Sequence, residues 1–319
     1  MSFFPRELAA PEESVGPNVE WEETNCLLCG GPNWSTLCEA PDNTDGGTGL
    51  WFPVVQCHDC GLCFTNPRPN ATSISQFYPS VYSPHRTPSE HARKKGGFRW
   101  IVRRSRRARK ERQEIPWQGQ GRLLDFGCGG GKFLERMHHE GWNVIGLDNS
   151  AETMIRLRQE LGIRTLVGSL PHPELRPSSL DVITMWHSLE HVHRPLEVLR
   201  EAHRLLVPGG KLYVAVPNID SLQFRWFGQA WFGLDLPRHL THFAPWTLHL
   251  MLQRSGFRVG PIEMIRHSDW LRSSARLSCR SPHQPGWRRW LQLKSTSRIA
   301  TMYSYLTNQT DCMLLKAER

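Results

Sequence analysis

The sequence has no apolar run near the roughly 18 residues that a membrane-spanning helix needs. Its first residues, MSFFPRELAAPEE, also lack the long apolar stretch of a secretory signal peptide. The nine cysteines include four in paired C-x-x-C spacing, which indicates metal binding in a reducing compartment rather than disulfides. These features predict a cytoplasmic protein, and a chain of 319 residues suggests roughly two domains.

Acidic residues are nearly missing from two segments of the chain. Residues 93–112 contain eleven Lys or Arg and one acid, and residues 266–298 contain eight and one. Because the whole chain has a net charge of +9, the remainder is mildly acidic. Three interpretations of segment 93–112 stay open: a solvated linker helix, contact with an anionic lipid or lipid-linked substrate, and contact with RNA. No RNA-binding motif accompanies it.

The strongest structural pattern lies between residues 122 and 148, RLLDFGCGGGKFLERMHHEGWNVIGLD. An apolar run, a glycine-rich turn, an amphipathic run and a second apolar run predict a β-strand, a turn, an α-helix and a second strand that hold a nucleoside. The turn glycines leave no side chain between backbone and ligand; they are Gly127, Gly129 and Gly131. Asp148 ends the second strand, where a carboxylate can accept hydrogen bonds from both ribose hydroxyls.

Two residues beside the turn narrow the choice of ligand. A dinucleotide-binding turn has glycine at its sixth position, where this turn has Lys132. Asp125 precedes the turn, and its carboxylate would repel a pyrophosphate but suit an ammonium group, such as that of S-adenosylmethionine. With these residues the segment resembles motifs I and II of the class I S-adenosylmethionine-dependent methyltransferases.

The resemblance implies an α/β fold, a Rossmann-like doubly wound sheet of seven strands whose last two are antiparallel. Further strands are predicted at residues 164–167, 180–185, 211–216, 257–265 and 311–316, with helices at 151–161 and 195–206. The cofactor would lie across the carboxyl ends of the strands. The resemblance implies further cofactor contacts by Asn149, Ser169 and Leu170, although Ser169 replaces the acid that is commoner in the family.

Two C-x-x-C pairs precede this domain, separated by 27 residues. Each pair places two thiolates on one tight turn, and two pairs supply the closed tetrahedral site of a structural Zn²⁺ with no catalytic role. The predicted ligands are Cys26, Cys29, Cys57 and Cys60. The metal would supply folding energy to so small a module. The run from CLLCGG through CHDCGLCFTNPRP to QFY resembles the zinc-ribbon-like amino-terminal module of a bacterial group of class I methyltransferases.

The predicted organisation has four parts. They are a flexible tail at 1–20, a zinc-binding module at 21–70, a linker with a basic helix at 71–116, and an S-adenosylmethionine-binding methyltransferase domain at 117–319. That last domain contains a lid insertion at 221–243 and a basic insertion at 268–305.

Histidines and a glutamate directly follow the fourth strand of this domain, in the run WHSLEHVH at 186–193. Because an imidazole can remove the proton of a methyl acceptor, we predict His191 as the base and Glu190 as the residue that orients it. The alternative is that the run lines the cofactor without chemistry. The H-x-x-E-H pattern is also similar to E-x-x-E-H in ubiquinone-pathway O-methyltransferases, where it can hold a divalent cation. This similarity implies a Mg²⁺ site in which His187 replaces the first glutamate.

The insertion at 221–243 contains six aromatic residues and would cover the mouth of the active site. Its predicted substrate contacts are Trp231, Arg238, His239 and His242, with Arg238 suited to a phosphate or carboxylate. The alternative is a lid packed for its own stability.

The sequence therefore predicts an S-adenosylmethionine-dependent methyltransferase that acts on an oxygen or carbon of a small molecule. The candidate substrates are a sugar nucleotide, a lipid-linked sugar and a secondary metabolite. Two alternatives remain: an RNA methyltransferase that binds RNA through the zinc module and basic segments, and a non-catalytic binding module.

Overall fold

The computed structural model describes residues 19–42, 47–78, 114–280 and 285–319. The basic segment at 93–112 lies outside these ranges, and so does nearly all of the predicted tail at 1–20. Among the described residues, no helix is long and apolar enough to cross a membrane.

A seven-stranded sheet forms the larger part of the molecule, in the order β12-β13-β10-β9-β6-β7-β8. Its strands are β6 (Arg122–Phe126), β7 (Asn143–Asp148), β8 (Arg164–Val167), β9 (Leu180–Trp186), β10 (Leu206–Pro217), β12 (Arg258–Ile265) and β13 (Cys312–Glu318). The five neighbouring strands β10, β9, β6, β7 and β8 pair in parallel. Strand β13 is antiparallel to both of its neighbours, β10 and β12. The predicted Rossmann-like sheet is confirmed, and only β13 runs against the other strands.

Helices connect these strands in the expected alternation. They are α1 (Lys132–His139), α2 (Ala151–Leu161), α3 (Pro195–Leu205), α4 (Leu222–Phe227), α5 (Pro245–Arg254), α6 (Ser268–Ser278), α7 (Trp287–Trp290) and α8 (Lys294–Leu306). Helix α2 has the predicted bounds because Ser150 caps it, with its Oγ accepting from the Thr153 amide at 3.3 Å. Gly162, in a left-handed conformation, ends it.

The fifth parallel strand starts earlier than predicted. The sequence predicts a helix at 195–206 and a strand at 211–216, with Pro208-Gly209-Gly210 between them, but α3 ends at Leu205 and β10 begins at Leu206. The pairing of β10 with β9 shifts register between Leu206 and Lys211, so the proline and glycines form an irregularity within the strand. Turn residues alone therefore do not mark the start of this strand.

A smaller sheet consists of three strands that precede the large sheet in sequence and one that follows β10, in the order β11-β4-β3-β2. Its strands are β2 (Trp34–Pro41), β3 (Trp51–Cys57), β4 (Cys63–Thr65) and β11 (Thr241–His242). Two short strands, β1 (Trp21–Glu22) and β5 (Arg68–Pro69), pair beside it. Strand β11 belongs to the predicted lid, so the lid supplies the edge of the amino-terminal sheet.

The two parts of the chain share one core. Val55, Leu62 and Phe64 of the small sheet belong to the same cluster of buried residues as Phe243 and Leu248, which follow the lid. The burial of these apolar side chains stabilises both parts together. The amino-terminal strands are therefore packed into the catalytic domain rather than joined to it by a tether.

Candidate active site

The glycine-rich turn begins directly after β6 and lies at the carboxyl end of the large sheet. Gly127, Gly129 and Gly131 have φ angles of 70°, 49° and 72°, a region that side-chain-bearing residues rarely adopt. A Cβ on Gly127 would lie 2.4 Å from the Cβ of Ser188, which follows β9. The turn thus approaches the end of β9 so closely that only glycine fits.

Asp125 lies on β6 beneath this turn, 2% exposed. Its Oδ1 accepts a hydrogen bond of 2.7 Å from the Thr184 hydroxyl on the neighbouring strand β9. Burial, with a smaller contribution from the charge of Asp148, raises the pKa of Asp125 to about 7. An ammonium group placed against this carboxyl would favour its ionised form, as predicted for the amino-acid end of S-adenosylmethionine.

Asp148 joins the end of β7 to the glycine-rich turn. Its Oδ2 accepts from the Gly129 amide at 2.9 Å, and its Oδ1 accepts from the Ser150 amide at 3.0 Å. These two hydrogen bonds fix both carboxylate oxygens of Asp148 between the end of β7 and the glycine-rich turn.

The remaining predicted cofactor contacts follow β7 and β8. Asn149 is exposed, Ser169 is half-buried and Leu170 is buried. The Gly168 amide donates to the backbone oxygen of Asp148 at 3.0 Å, which holds the segment that contains Ser169 against the end of β7. The fold therefore gathers the predicted residues at the carboxyl ends of three adjacent strands, where open α/β sheets bind ligands.

His187 is the first residue after β9 and occupies a left-handed conformation, with φ 54°. Its amide donates to the Ala215 oxygen at 2.9 Å, and its Nδ1 lies 3.5 Å from Oε1 of Glu190. The His187 side chain is 32% exposed, whereas that of Glu190 is 1% exposed. Burial alone would raise the pKa of Glu190, but the imidazoles of His187, His239 and His191 outweigh it and lower that pKa. Glu190 is therefore a buried carboxylate that faces an accessible imidazole.

His191, the predicted base, faces the lid instead. Its Nδ1 lies 3.0 Å from the Arg238 backbone oxygen and 3.2 Å from the Tyr78 hydroxyl. Burial and then the neighbouring His239 lower the pKa of His191 to about 4, so the ring is neutral at pH 7 and a weak base. This environment does not suit the role of base that the sequence predicted for His191.

Arg238 corrects the prediction of substrate contacts in the lid. The Arg238 side chain is 1% exposed. Its guanidinium nitrogens lie 2.8 Å from Asp235 Oδ1 and 3.3 Å from Asp42 Oδ1, and one of them donates to the Phe77 backbone oxygen at 2.8 Å. The guanidinium is thus paired with carboxylates of the protein itself, and it binds the lid to the small sheet rather than a substrate anion.

Two other predicted substrate contacts are also buried in the lid. Trp231 is 1% exposed and packs edge-on against Phe224, with ring centres 5.6 Å apart. His242 lies in β11, with its Nε2 3.1 Å from the Thr65 hydroxyl. These positions fit the alternative of a lid packed for its own stability.

His239, the fourth predicted contact, lies beside the buried glutamate. Its Nδ1 donates to the Gly233 oxygen at 2.9 Å, and its Nε2 is 4.0 Å from Oε1 of Glu190. Its ring meets that of His191 edge-on, with centres 4.6 Å apart. His239 and His187 thus both lie close to the same oxygen of Glu190.

Sequence reasoning missed the wall beside His187. The Trp270 ring centre lies 5.0 Å from that of His187, and the His267 ring stacks on Trp270 at 4.7 Å. Phe133 and Trp186 meet edge-on at 5.4 Å at the end of β9. All four rings are half-buried. Trp270 lies in the insertion predicted at 268–305, but no local pattern in that insertion points toward His187.

The four predicted zinc ligands converge in the amino-terminal part. Cys26 Sγ lies 3.3 Å from Cys60 Sγ, Cys29 Sγ lies 3.5 Å from Cys57 Sγ, and all four sulfurs lie within 4.8 Å of one another. Zinc–sulfur bonds of about 2.3 Å in a tetrahedron require sulfurs about 3.8 Å apart, so the residues fit a four-thiolate Zn²⁺ site.

The predicted Mg²⁺ site does not form. Among the described residues, Glu190 and His191 cluster with His239, whereas His187 clusters with His267 and Cys312. The three residues of the H-x-x-E-H run therefore do not meet at one point, and only one of them offers the oxygen ligand that Mg²⁺ prefers. We assign no Mg²⁺ to this run.

Comparison with known proteins agrees with this geometry. A family model described as a methyltransferase domain matches residues 98–260, just over half of the chain. The chain belongs to the class I S-adenosylmethionine-dependent methyltransferases. The methyltransferase is 31% identical over 172 residues to a ubiquinone biosynthesis O-methyltransferase of Xanthomonas euvesicatoria, covering 50% of this chain and 72% of the relative.

Two further similarities cover parts of the methyltransferase. It is 40% identical over 103 residues to a ubiquinone biosynthesis O-methyltransferase of Aliivibrio fischeri, which is 30% of this chain and 44% of that relative. A crystal structure of an S-adenosylmethionine-dependent methyltransferase from Mesorhizobium loti matches 66% of this chain and 96% of its own, with 21% identity and a TM-score of 0.46.

Proposed function

We propose that the methyltransferase transfers a methyl group from S-adenosylmethionine to a hydroxyl oxygen of a small, ring-bearing molecule, with His187 as the base. The observation that carries the proposal is the pairing of His187 Nδ1 with Glu190 Oε1 at 3.5 Å, directly beside the glycine-rich turn. The O-methyltransferase names of its relatives support an oxygen acceptor.

The orientation of His187 fixes which of its nitrogens reacts. A carboxylate facing Nδ1 favours the proton on that nitrogen, which leaves the lone pair on Nε2. Nε2 lies 3.9 Å from Cys312 Sγ, and burial raises the pKa of Cys312, so the protonated thiol donates a weak hydrogen bond to this lone pair, which the acceptor hydroxyl replaces. Nε2 is therefore the atom that takes the proton of the acceptor hydroxyl, and Glu190 stabilises the resulting imidazolium.

When bound, S-adenosylmethionine supplies a methyl group on a sulfonium, whose C–S bond breaks as the new C–O bond forms. The chain's task is then to align the oxygen and to remove its proton. Gly127 and Ser188 keep the turn and the end of β9 in close approach, which sets the distance between the cofactor cleft and His187.

The acceptor class follows from the residues around His187. The half-buried rings of Trp270, His267 and Trp186 form walls that suit a flat, unsaturated ring better than a sugar, which would need several polar partners. Of the three predicted acceptor classes, this surface favours a hydroxylated secondary-metabolite-like ring over a sugar nucleotide or a lipid-linked sugar.

Radiolabelled S-adenosylmethionine tests this proposal against panels of hydroxylated aromatic compounds and of sugar nucleotides. We expect labelling in the first panel. His187→Gln should then lower kcat by about 10²- to 10⁴-fold without changing cofactor affinity, while the matched change His191→Gln should have a smaller effect. Labelling of sugar nucleotides alone, or full activity of His187→Gln, would refute the acceptor class or the base, respectively.

We also propose that Cys26, Cys29, Cys57 and Cys60 hold a structural Zn²⁺. The convergence of their sulfurs supports this proposal, and a site with four protein thiolates leaves no position for a water or substrate. The metal would therefore stabilise the fold and take no part in methyl transfer.

A further inference from the structure

Helix α8 presents its apolar side chains to solvent and its polar ones to the protein. The buried residues of α8 are Ser297, Thr301 and Ser304. The exposed ones include Ile299 at 70% and Leu306 at 73%, together with Met302 and Tyr303. These four recur at intervals of three and four residues and form one stripe along the helix. A surface helix that only covers a core has the opposite arrangement.

One hydrogen bond on the buried face of α8 joins this helix to α4, and bonds within the helix satisfy its buried hydroxyls. Gln223 of α4 donates from Nε2 to the Ser304 Oγ at 3.0 Å, and the Ser304 hydroxyl donates to the Thr301 oxygen at 3.0 Å. The Thr301 hydroxyl donates to the Ser297 oxygen at 2.9 Å. Because these buried polar groups have partners and the side chains are small, α8 packs closely with the polar face inward. The apolar stripe is therefore held outward.

The short helix α7 extends this surface. Trp290 is 66% exposed, and Trp287 and Leu293 are about half exposed. Cations accompany the apolar residues: Arg289, Lys294 and Arg298 are all exposed. From residue 270 to 310 the sequence contains seven Lys or Arg and no Asp or Glu. We name the exposed apolar and cationic residues of α7 and α8, within 287–306, the outer surface.

The composition of the outer surface limits what can cover it. A second copy of the chain would bring the same cationic surface against it, and the basic segment at 93–112 would be repelled in the same way. A nucleic acid would neutralise the cations, but its phosphate backbone offers no apolar partner for exposed aliphatic side chains such as Ile299 and Leu306. An anionic lipid surface satisfies both features, because it accepts apolar side chains below its headgroups and binds Arg and Lys with its phosphates.

We propose that the outer surface docks the methyltransferase on an anionic membrane. The stripe of Ile299, Met302, Tyr303 and Leu306 enters the boundary between headgroups and acyl chains, and Trp287 and Trp290 lie at headgroup level, where tryptophan is favoured. Docking orients the active site as well, since α8 binds Gln223 of the lid helix α4, and α6 carries the Trp270 that lines His187.

Vesicle co-sedimentation of the full chain tests the proposal. We expect binding to phosphatidylglycerol–phosphatidylcholine vesicles to exceed binding to pure phosphatidylcholine vesicles by about tenfold or more at low salt. The double variant Ile299→Ser/Leu306→Ser should lose at least about tenfold in partitioning, since two large apolar side chains no longer enter the lipid. The matched control is Ile155→Ser, which changes a 54% exposed isoleucine on α2.

Three results would overturn the proposal: no sedimentation of the unaltered chain with anionic vesicles, equal binding by the double variant and the unaltered chain, or an equal loss of binding in the Ile155→Ser control. Sedimentation velocity distinguishes the rival occupant, because a dimer that the double variant dissolves would assign the outer surface to a second copy instead. The thermal unfolding of all variants should match that of the unaltered chain, since the substituted side chains are exposed.

Discussion

Arg238 and Asp42 are 196 residues apart in sequence, yet their side chains lie 3.3 Å apart and are only 1% and 2% exposed. Arg238 belongs to the lid, and Asp42 directly follows β2 of the small sheet. Asp235 completes the group from the lid side, 2.8 Å from the same guanidinium. The lid is thus anchored to the amino-terminal strands through a buried network of charges.

Removing the Arg238 guanidinium should destabilise the fold. Arg238→Ala leaves two carboxylates without their shared cation, and we expect it to lower the free energy of unfolding by about 3–5 kcal/mol. The matched control is Arg225→Ala, since Arg225 of the same insertion forms an exposed ion pair with Asp220, which should contribute about 0–1 kcal/mol. Urea unfolding measures both, and equal stability of the two variants would contradict the anchoring role.

Asp148 should determine cofactor affinity. Asp148→Ala removes the carboxylate at the end of β7 and its support of the Gly129 amide, so we expect the Kd for S-adenosylmethionine to rise at least about tenfold. Titration calorimetry checks this, with Glu152→Ala on the exposed first turn of α2 as the control. An unchanged Kd in Asp148→Ala would remove the residue from the cofactor site.

Cofactor binding should release a proton from Asp125. Burial raises its pKa to about 7, so at pH 6.5 much of the free protein carries this carboxyl protonated. An ammonium group beside it favours the ionised form, which expels the proton. Calorimetry in buffers of different ionisation enthalpy should therefore show release of up to one proton, and Asp125→Asn should abolish it. Equal proton release in the variant would place the titrating group elsewhere.

The same raised pKa predicts a pH dependence of stability in the cofactor-free protein. Because the folded pKa lies above that of the unfolded chain, the contribution of Asp125 is fully present below about pH 4 and is lost as pH rises through about 7. Asp125→Asn should remove this loss, so the stability gain of the variant over the unaltered chain should grow from pH 4.5 to pH 8. A gain independent of pH, measured by urea unfolding, would contradict this assignment.

Glu190 should act through His187 rather than on the acceptor. Glu190→Gln removes the anion that faces Nδ1, so we expect kcat to fall at least about tenfold while the Kd for S-adenosylmethionine stays unchanged. Glu197→Gln, which changes an exposed glutamate on α3, is the control. A comparable rise in the Kd for S-adenosylmethionine would indicate a purely structural role instead.

Zinc content should depend on the four converging cysteines and on no neighbouring thiol. Cys57→Ser should reduce bound zinc from about one ion per chain toward zero, because a four-thiolate site loses a ligand. Cys63→Ser, a buried cysteine outside the cluster, should retain the metal. Elemental mass spectrometry measures the ratio, and full occupancy in Cys57→Ser would overturn the site.

Local patterns in the sequence were sufficient for the large sheet and the position of the cofactor cleft. The glycines at 127, 129 and 131, the apolar runs beside them and the Ser150 cap each act over a few residues, so their spacing alone predicts the strands and helix α2. Residues 164–167 form a strand with the predicted bounds.

The lid could not be predicted in the same way. Strand β11 is two residues long and pairs with Phe64 and Cys63, far away in the sequence, so no local periodicity marks it. Arg238 was assigned to a substrate anion because its true partner, Asp42, is equally distant. Likewise the exchange of His191 for His187 as base depends on which ring the lid covers, and this is a property of the packed structure alone.

The pairing of β11 with β4 also determines what a truncated form of this enzyme would lose. A chain cut before residue 114 would lose the ladder partners of Thr241 and His242 and the carboxylate opposite Arg238. We expect such a fragment to have a loose, frayed insertion over its cleft, although every cofactor-binding residue would be present. A chimera that takes its amino-terminal strands from a relative would therefore need that relative's lid as well, so that the β4–β11 pairing and the Arg238–Asp42 contact are kept.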